Sequence, residues 1–231
     1  MKLWRFADPS DQQFAEASRR GTWSPSSGLC SECGASSQER IQPLVLEWEP
    51  GSDVIGDFTW PGFGSDIAIA EKVVTAFKGF GGFEPGPVEM VQDPNQRRQG
   101  GPHRGKPRVW LPYQGPPLYD LWVTRQVHLD LERSSVWLVK ECRTCGRQQY
   151  AVDGIERRET RWDKEQRKSV RMHIPRSRGL GFYVAEDAFT GSAIFRTHEF
   201  PGWVLCTDLV KEIVEKEGFT NVSFLEVGDT T

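Results

Sequence analysis

The sequence contains one five-residue pattern twice, and each copy requires a chemical partner elsewhere in the chain. The pattern is Cys-x-x-Cys-Gly, and it occurs as Cys30 to Gly34 and again as Cys142 to Gly146. A Cys-x-x-Cys turn places two sulfur atoms on one side of a tight loop, and the following glycine can adopt the positive φ that closes such a loop. Each copy therefore predicts one half of a four-sulfur site.

The two halves together predict a zinc site. Four thiolates satisfy the tetrahedral preference of Zn²⁺ at about 2.3 Å per bond and leave no coordination position for water or substrate. We therefore expect one structural zinc ion with four ligands, namely Cys30, Cys33, Cys142 and Cys145. The 108 residues between Cys33 and Cys142 exceed the usual spacing of about 15 to 20 residues. Because the entropy of loop closure grows only logarithmically with length, a whole lobe can be inserted between the halves.

Two other interpretations of the cysteines remain open. A redox-active Cys-x-x-Cys usually opens a helix after a strand, whereas residues 136–139 and 149–152 around the second motif are typical of two hairpin strands. Disulfides are disfavoured because the count of five cysteines is odd and the amino terminus lacks the apolar stretch of a secretory signal. The fifth cysteine, Cys206, is predicted to be a small buried hydrophobic residue on a strand.

Length and composition are those of an ordinary globular protein. The 231 residues include 37% hydrophobic and 26% charged residues, and the net charge is −3. No apolar run approaches the roughly 20 residues that a membrane-spanning helix needs. We therefore expect a cytoplasmic protein that has no membrane partner.

Charge is distributed unevenly along the chain. Residues 1–93 contain seven basic and 14 acidic residues, and residues 179–231 contain three basic and nine acidic residues. Basic charge is concentrated in residues 94–108, which are predicted to form a Gly- and Pro-rich loop, and in residues 156–178. The pattern predicts acidic and basic faces, and an acidic face accelerates encounter with a basic partner.

An internal repeat indicates the architecture. Residues 60–91 and 200–227 share one order of features: an aromatic-Pro-Gly-aromatic segment, a short strand, a helix, Gly-Phe and a second strand. The helices are predicted over residues 70–77 and 207–217. The second should have Thr207 as its cap, Gly218 as its stop and an apolar stripe of Leu209, Val210, Ile213 and Val214. A further short helix is predicted over residues 10–20, capped by Ser10.

These elements predict an α+β fold of mixed sheets with few helices. The chain is expected to form a single zinc-clasped unit over residues 1–231. Within it we expect two small lobes joined by a split zinc-ribbon-like site. One lobe spans residues 1–146, with the insert 35–141 between the motifs, and the other spans residues 147–231.

Motifs of known catalytic chemistry are missing from the sequence. The four histidines, at positions 103, 128, 173 and 198, show no metalloprotease or deaminase spacing. The sequence also lacks a phosphate-binding Walker loop, a nucleophile elbow and a dinucleotide-binding glycine motif. We therefore predict that the chain is not an enzyme. The basic segment 94–108 favours a zinc-ribbon nucleic-acid-binding protein as an alternative, although the isoelectric point near 5.9 makes nucleic acid an improbable partner.

The chain resembles the double-CxxCG family of myxobacterial immunity proteins. It does so in both motifs, in its length and in the carboxy-terminal helix-Gly-Phe-strand pattern. The resemblance covers essentially the full length, and it rests on the four motif cysteines, Gly34 and Gly146. Members of this family bind and neutralise a toxin that is encoded beside them in kin-discrimination systems. The resemblance therefore implies an immunity protein whose partner is a cognate toxin encoded by the adjacent gene. Cys206 and the basic segment 94–108 depart from the family pattern.

The acidic ends of the chain add a physical suggestion to this resemblance. Nuclease toxins have basic surfaces because they must hold phosphate groups, and an acidic inhibitor complements such a surface. We therefore predict a nuclease toxin that is neutralised by stoichiometric occlusion of its active surface. The candidates for the contact are five acidic residues of the second repeat: Asp208, Glu212, Glu215, Glu217 and Glu226.

Overall fold

The computed structural model describes residues 1–21, 24, 28–36, 39–62, 65–92, 105–163 and 167–231. This part of the chain consists mostly of β-strands, with two α-helices, so the predicted sheet-rich fold with few helices is confirmed. The strands are β1 (Lys2–Ala7), β2 (Ala17–Arg20), β3 (Leu44–Trp48), β4 (Phe58–Thr59), β5 (Ala68–Ala70), β6 (Phe83–Gly86), β7 (Val88–Val91), β8 (Leu118–Val123), β9 (Gln126–Val127), β10 (Val136–Glu141), β11 (Gln148–Val152), β12 (Arg157–Asp163), β13 (Lys168–Ile174), β14 (Phe182–Val184), β15 (Ile194–Thr197), β16 (Leu205–Thr207) and β17 (Ser223–Thr230). The helices are α1 (Glu71–Ala76) and α2 (Asp208–Glu217), and a short 3₁₀ helix spans Glu186–Ala188.

Two sheets contain the same four-stranded arrangement. In the first sheet, of order β4-β5-β8-β6, the helix α1 joins β5 to β6, and β8 lies antiparallel between them. In the six-stranded sheet, of order β14-β17-β1-β16-β15-β9, the helix α2 joins β16 to β17, and β1 lies antiparallel between them. The two units differ in the order of their strands along the chain. The central strand follows the other three in the first unit (β8) and precedes them in the second (β1).

The predicted repeat is therefore present as repeated architecture, with one correction. In the first copy, the strand after Gly-Phe was predicted at residues 87–91. The strand that pairs with the central strand β8, as β17 pairs with β1, is instead β6. Residues 88–91 form β7, which pairs in parallel with β3 in a separate sheet of order β2-β3-β7. Two β-strands follow α1 in close succession, and the sequence pattern did not separate them.

One apolar cluster joins the two units. It includes Val73 and Phe77 from α1 and its C-terminal end, Val210 and Val214 from α2, and buried side chains from both sheets. Cys206 also lies in this cluster and is fully buried on β16, as predicted. Burying such side chains stabilises the fold by about 1.5 to 3 kcal/mol each. The two copies of the repeat thus share one apolar core, to which each contributes its helix and its sheet.

Three predictions about helices are corrected. Leu209 was predicted to belong to the apolar stripe of α2, but its side chain is 55% exposed. Thr207 occupies the cap position without a side-chain hydrogen bond to the helix, whereas Gly218 ends the helix with a φ of 65°, as predicted. The helix predicted over residues 10–20 is absent. Instead, Ala15 donates a backbone hydrogen bond to the Val54 carbonyl, and β2 pairs with β3, so tertiary pairing overrides a weak local preference.

The remaining strands form two hairpins, β10-β11 and β12-β13. The first was predicted around the second cysteine motif and is confirmed. It packs on the second apolar cluster, which covers the other face of the six-stranded sheet. Because β1 is central in that sheet, the predicted lobes 1–146 and 147–231 share strands of one sheet.

Candidate metal centre

The two cysteine motifs form turns with matching backbone geometry. In each turn the glycine N–H donates to the carbonyl of the first cysteine at 2.8 Å, from Gly34 to Cys30 and from Gly146 to Cys142. In each turn the N–H of the first cysteine also donates to the carbonyl five residues later at 2.9 Å. The two glycines have φ values of 67° and 70°, a conformation that favours glycine because it has no Cβ. The shared Cys-x-x-Cys-Gly pattern therefore folds into two copies of one local structure.

The four sulfur atoms of the two turns form a compact cluster. The Sγ atoms of Cys30 and Cys142 are 3.6 Å apart, as are those of Cys33 and Cys145. All four Sγ atoms lie within 4.8 Å of one another. A tetrahedron with metal–sulfur bonds of about 2.3 Å has edges of about 3.8 Å, so the cluster has the size that one metal ion needs. The predicted meeting of the two motifs across the insert 35–141 is confirmed.

A carboxylate links the two turns beyond their sulfur atoms. Glu32, the third residue of the first motif, accepts hydrogen bonds from the N–H and hydroxyl of Thr144, the third residue of the second, at 3.1 and 2.8 Å. The thiol of Cys142 also donates to this carboxylate at 3.5 Å. The Thr144 hydroxyl is the main cause that lowers the pKa of Glu32. Sequence reasoning missed this link, although the matching positions of the two residues were visible.

The thiols of the cluster differ in acidity. The backbone N–H groups of Cys33 and Glu32 point at the sulfur of Cys30 and lower the pKa of that thiol to about 6. For Cys142, the backbone N–H of Cys145 favours the thiolate, but desolvation and the neighbouring thiols raise its pKa to about 12. The Cys30 thiolate therefore forms readily, whereas the neighbouring Cys142 thiol holds its proton. Such a cluster suits a positively charged ion.

Comparison with known proteins does not extend this assignment. No model of a known protein family matches the chain, and no curated protein matches it. The resemblance to the double-CxxCG immunity proteins therefore stays an expectation that rests on the motifs.

Two of the predicted partner-binding residues are engaged in internal contacts. The Asp208 carboxylate accepts hydrogen bonds from the Trp4 indole and the Lys2 backbone N–H, both at 2.7 Å. Glu226 forms ion pairs with Lys2 at 2.7 Å and with Arg176 at 3.0 Å. Asp208 attaches α2 to β1, and Glu226 attaches β17 to β1, so both carboxylates stabilise the fold.

The other three predicted residues lie on the outer side of α2. Glu212, Glu215 and Glu217 are exposed, and Glu215 pairs with Lys211 at 2.5 Å. The exposed Leu209 precedes Glu212 by three residues, which places both on one helix face. We call Leu209, Glu212, Glu215 and Glu217 the α2 surface. It combines acidic charge with one apolar side chain.

A buried ionic network anchors the segment that follows the first cysteine motif. Arg40 forms ion pairs with Asp66 and Asp120, and Arg19 forms another with Asp66. The two carboxylates are 1% and 0% exposed. Burial raises the pKa of Asp120, and the charge of Arg40 opposes this rise. The network was not found from the sequence, because its residues are scattered over 102 positions without a local motif.

The four histidines and the basic segment 94–108 were also considered in the sequence as possible functional residues. The rings of His128 and His198 are stacked 3.9 Å apart, and His128 contacts the buried Glu199 at 3.3 Å. His173 pairs with Glu156 at 2.5 Å. His103 and residues 94–104 of the basic segment lie outside the described residues. Among the described residues, no helix has the length and apolar character needed to cross a membrane.

Proposed function

We propose that the cysteine cluster binds one Zn²⁺ ion as a structural clasp. The observation that carries this proposal is the convergence of four sulfur atoms within 4.8 Å from two turns of matching geometry. Zinc prefers four-coordinate tetrahedral sulfur sites, and four thiolates leave it no open position for substrate. Bound metal would fix the first turn to the β10-β11 hairpin, with Glu32 holding the turns in register.

Zinc content tests this clasp directly. Protein purified without chelator should contain about one zinc per chain by elemental analysis. Cys142→Ser should lose most of it, because the hydroxyl oxygen replaces one of four thiolate ligands. Cys206→Ala is the matched control, since Cys206 is a cysteine outside the cluster, and it should retain the metal. Wild-type protein free of metal would contradict the proposal and favour redox chemistry at the cluster.

We propose further that the protein is an immunity protein that neutralises a cognate toxin by occluding its active surface. The resemblance of the two motifs supports this function, and the α2 surface offers the contact. Its three exposed carboxylates suit a basic partner such as a nuclease, and Leu209 supplies an apolar anchor among them. Asp208 and Glu226 hold the helix and its neighbouring strands in place behind this surface.

Co-expression with the product of the adjacent gene tests this function. If that product is toxic, the wild-type chain should restore growth and bind the toxin in a one-to-one complex. Glu212→Lys combined with Glu217→Lys should weaken binding at least about tenfold, because like charges then face the basic partner. Glu84→Lys combined with Glu89→Lys makes the same charge change at exposed positions of β6 and β7, so this variant is the control and should bind normally.

Each outcome bears on a different part of the proposal. Failure of the wild-type chain to restore growth would contradict the immunity function. Equal weakening by the control variant of Glu84 and Glu89 would remove α2 as the contact surface. The alternative function from the sequence, nucleic-acid binding, requires a shift of random DNA or RNA on a gel that weakens steeply with salt and with loss of Arg97, Arg98 and Arg104.

A further inference from the structure

A groove separate from the cysteine cluster lies between β1 and the β12-β13 hairpin. Its volume is about 590 Å³, within the range of about 300 to 1,000 Å³ that is typical of small-ligand sites. Four arginines from three strands line it: Arg5 on β1, Arg157 and Arg158 on β12, and Arg171 on β13. Arg157 is paired with Glu159 at 2.6 Å, so the other three carry the argument that follows. We call it the arginine groove.

Arg5 is a cation held away from water without an anionic partner. Its guanidinium lies over the Trp203 ring at 4.2 Å from the centroid. Within the part of the chain that the structure describes, its side chain forms no hydrogen bond and no ion pair. Burial lowers the pKa of Arg5, which reflects the cost of desolvating its charge. An anion in the groove would offset this cost.

Arg158 and Arg171 face the same groove from the hairpin. The register pairs Arg158 with His173 and Thr160 with Arg171, so both arginines lie on one face, diagonal to each other. Their described polar contacts are long ones to backbone oxygens of the segment after β1, at 3.5 Å to Asp8 and 3.4 Å to Pro9. Most of their N–H donors therefore remain available to a ligand.

The two carboxylates that border the groove are held by other partners. Asp8 accepts the backbone N–H of Ser10 at 2.7 Å. Glu156 contacts His173 at 2.5 Å and accepts the backbone N–H of Glu226 at 2.6 Å. Neither carboxylate forms an ion pair with the three arginines in the described structure. The groove therefore has a surplus of positive charge.

We propose that the arginine groove binds a small molecule through a phosphate group. Guanidinium groups present paired donors that match two oxygens of a phosphate. Arg5, Arg158 and Arg171 all line this groove, and the last two share one face of the hairpin. The lining offers no open aromatic face for a nucleobase, since Arg5 covers Trp203 and Trp60 is only 8% exposed. The geometry therefore favours a compact phosphorylated ligand without an aromatic ring.

Calorimetric titration with inorganic phosphate and with pyrophosphate at constant ionic strength tests this site. The wild-type protein should bind pyrophosphate, and acetate should bind at least about tenfold more weakly because it offers fewer oxygens and less charge. Arg158→Ala and Arg171→Ala should each weaken pyrophosphate binding about tenfold, equivalent to about 1.4 kcal/mol. Arg161→Ala is the matched control. Arg161 pairs with Val170 on the opposite face of the same hairpin, and its loss should leave binding unchanged.

The lysine variants Arg158→Lys and Arg171→Lys keep the charge but lose the paired donors, so they should also bind more weakly. They serve as the test if an alanine variant melts at a lower temperature than the wild type. Absence of pyrophosphate binding to the wild type would overturn the proposal. Equal weakening by Arg161→Ala would also overturn it, because binding would then follow the overall charge of the hairpin.

Discussion

Replacing Arg40 with alanine should lower the free energy of unfolding by about 3 to 5 kcal/mol. The substitution removes the cation that pairs with both Asp66 and Asp120, whose carboxylates are almost completely buried. A carboxylate left in the interior without its partner carries the full cost of desolvation. The network also attaches the segment after the first cysteine motif to β8, so its loss should loosen the adjacent turn. Urea unfolding followed by tryptophan fluorescence measures the change.

Arg157→Ala provides the matched control for this experiment. Arg157 pairs with Glu159 at 2.6 Å, but both side chains are about half exposed. Exposed ion pairs contribute about 0 to 1 kcal/mol, so this variant should unfold close to the wild-type midpoint. A loss below about 1 kcal/mol for Arg40→Ala would mean that water or rearranged neighbours compensate the two carboxylates.

Acidification should release zinc from the cysteine cluster and lower the melting temperature. Protons compete with the metal for thiolates, so zinc affinity falls as the pH falls. The pKa of Cys30 is lowered to about 6, so this ligand is available at neutral pH and is lost only as the pH drops through that value. The pKa of Cys142 is raised to about 12, so metal binding must displace its proton at neutral pH. The stabilisation by zinc should therefore decrease as the pH falls through the neutral range, because the Cys142 proton competes with the metal throughout it. It should decrease more steeply below about pH 6, where Cys30 is protonated as well.

The number and rate of thiols that react with a chromogenic disulfide reagent test this prediction. With chelator at neutral pH, Cys30, Cys33 and Cys145 should react first, and Cys142 should react more slowly because it is buried and its pKa is raised to about 12. Cys206 should stay protected because it is fully buried and desolvation raises its pKa. Without chelator, none of the five should react quickly. The three apolar clusters contain no residue of either motif, so the rest of the fold should persist without metal. Rapid reaction of Cys30, Cys33 and Cys145 in untreated protein would contradict the zinc clasp.

The features that could be predicted from sequence are those whose cause is local. Each cysteine turn forms from five consecutive residues, and Gly218 ends α2 because glycine tolerates a positive φ. The meeting of the two turns was also predictable, because a half-filled sulfur site requires a second half. The position of β1 between β16 and β17 could not be predicted, because many strands of similar pattern could occupy that place in a sheet.

Side-chain roles that depend on tertiary neighbours were harder to predict. Leu209 belongs to the apolar stripe of α2 by spacing, but the adjoining structure covers only the side that carries Val210 and Val214. Asp208 has the composition of a surface residue, and only the nearby Trp4 indole makes it an internal acceptor. The arginine groove likewise combines β1 with a hairpin more than 150 residues later, and no sequence pattern joins them.

The central place of β1 sets the order in which the protein can be completed during synthesis. β1 is synthesised before its partners β16 and β17, which are about 200 residues away along the chain. The first four-stranded unit can form as soon as β8 has emerged, whereas β1 must wait with its apolar Leu3, Trp4 and Phe6 unpaired. The four-sulfur cluster likewise cannot form until the second cysteine motif has been synthesised. We therefore expect the nascent chain to leave β1 unpaired until β16 and β17 have been made, and unpaired apolar strands are segments that chaperones commonly bind.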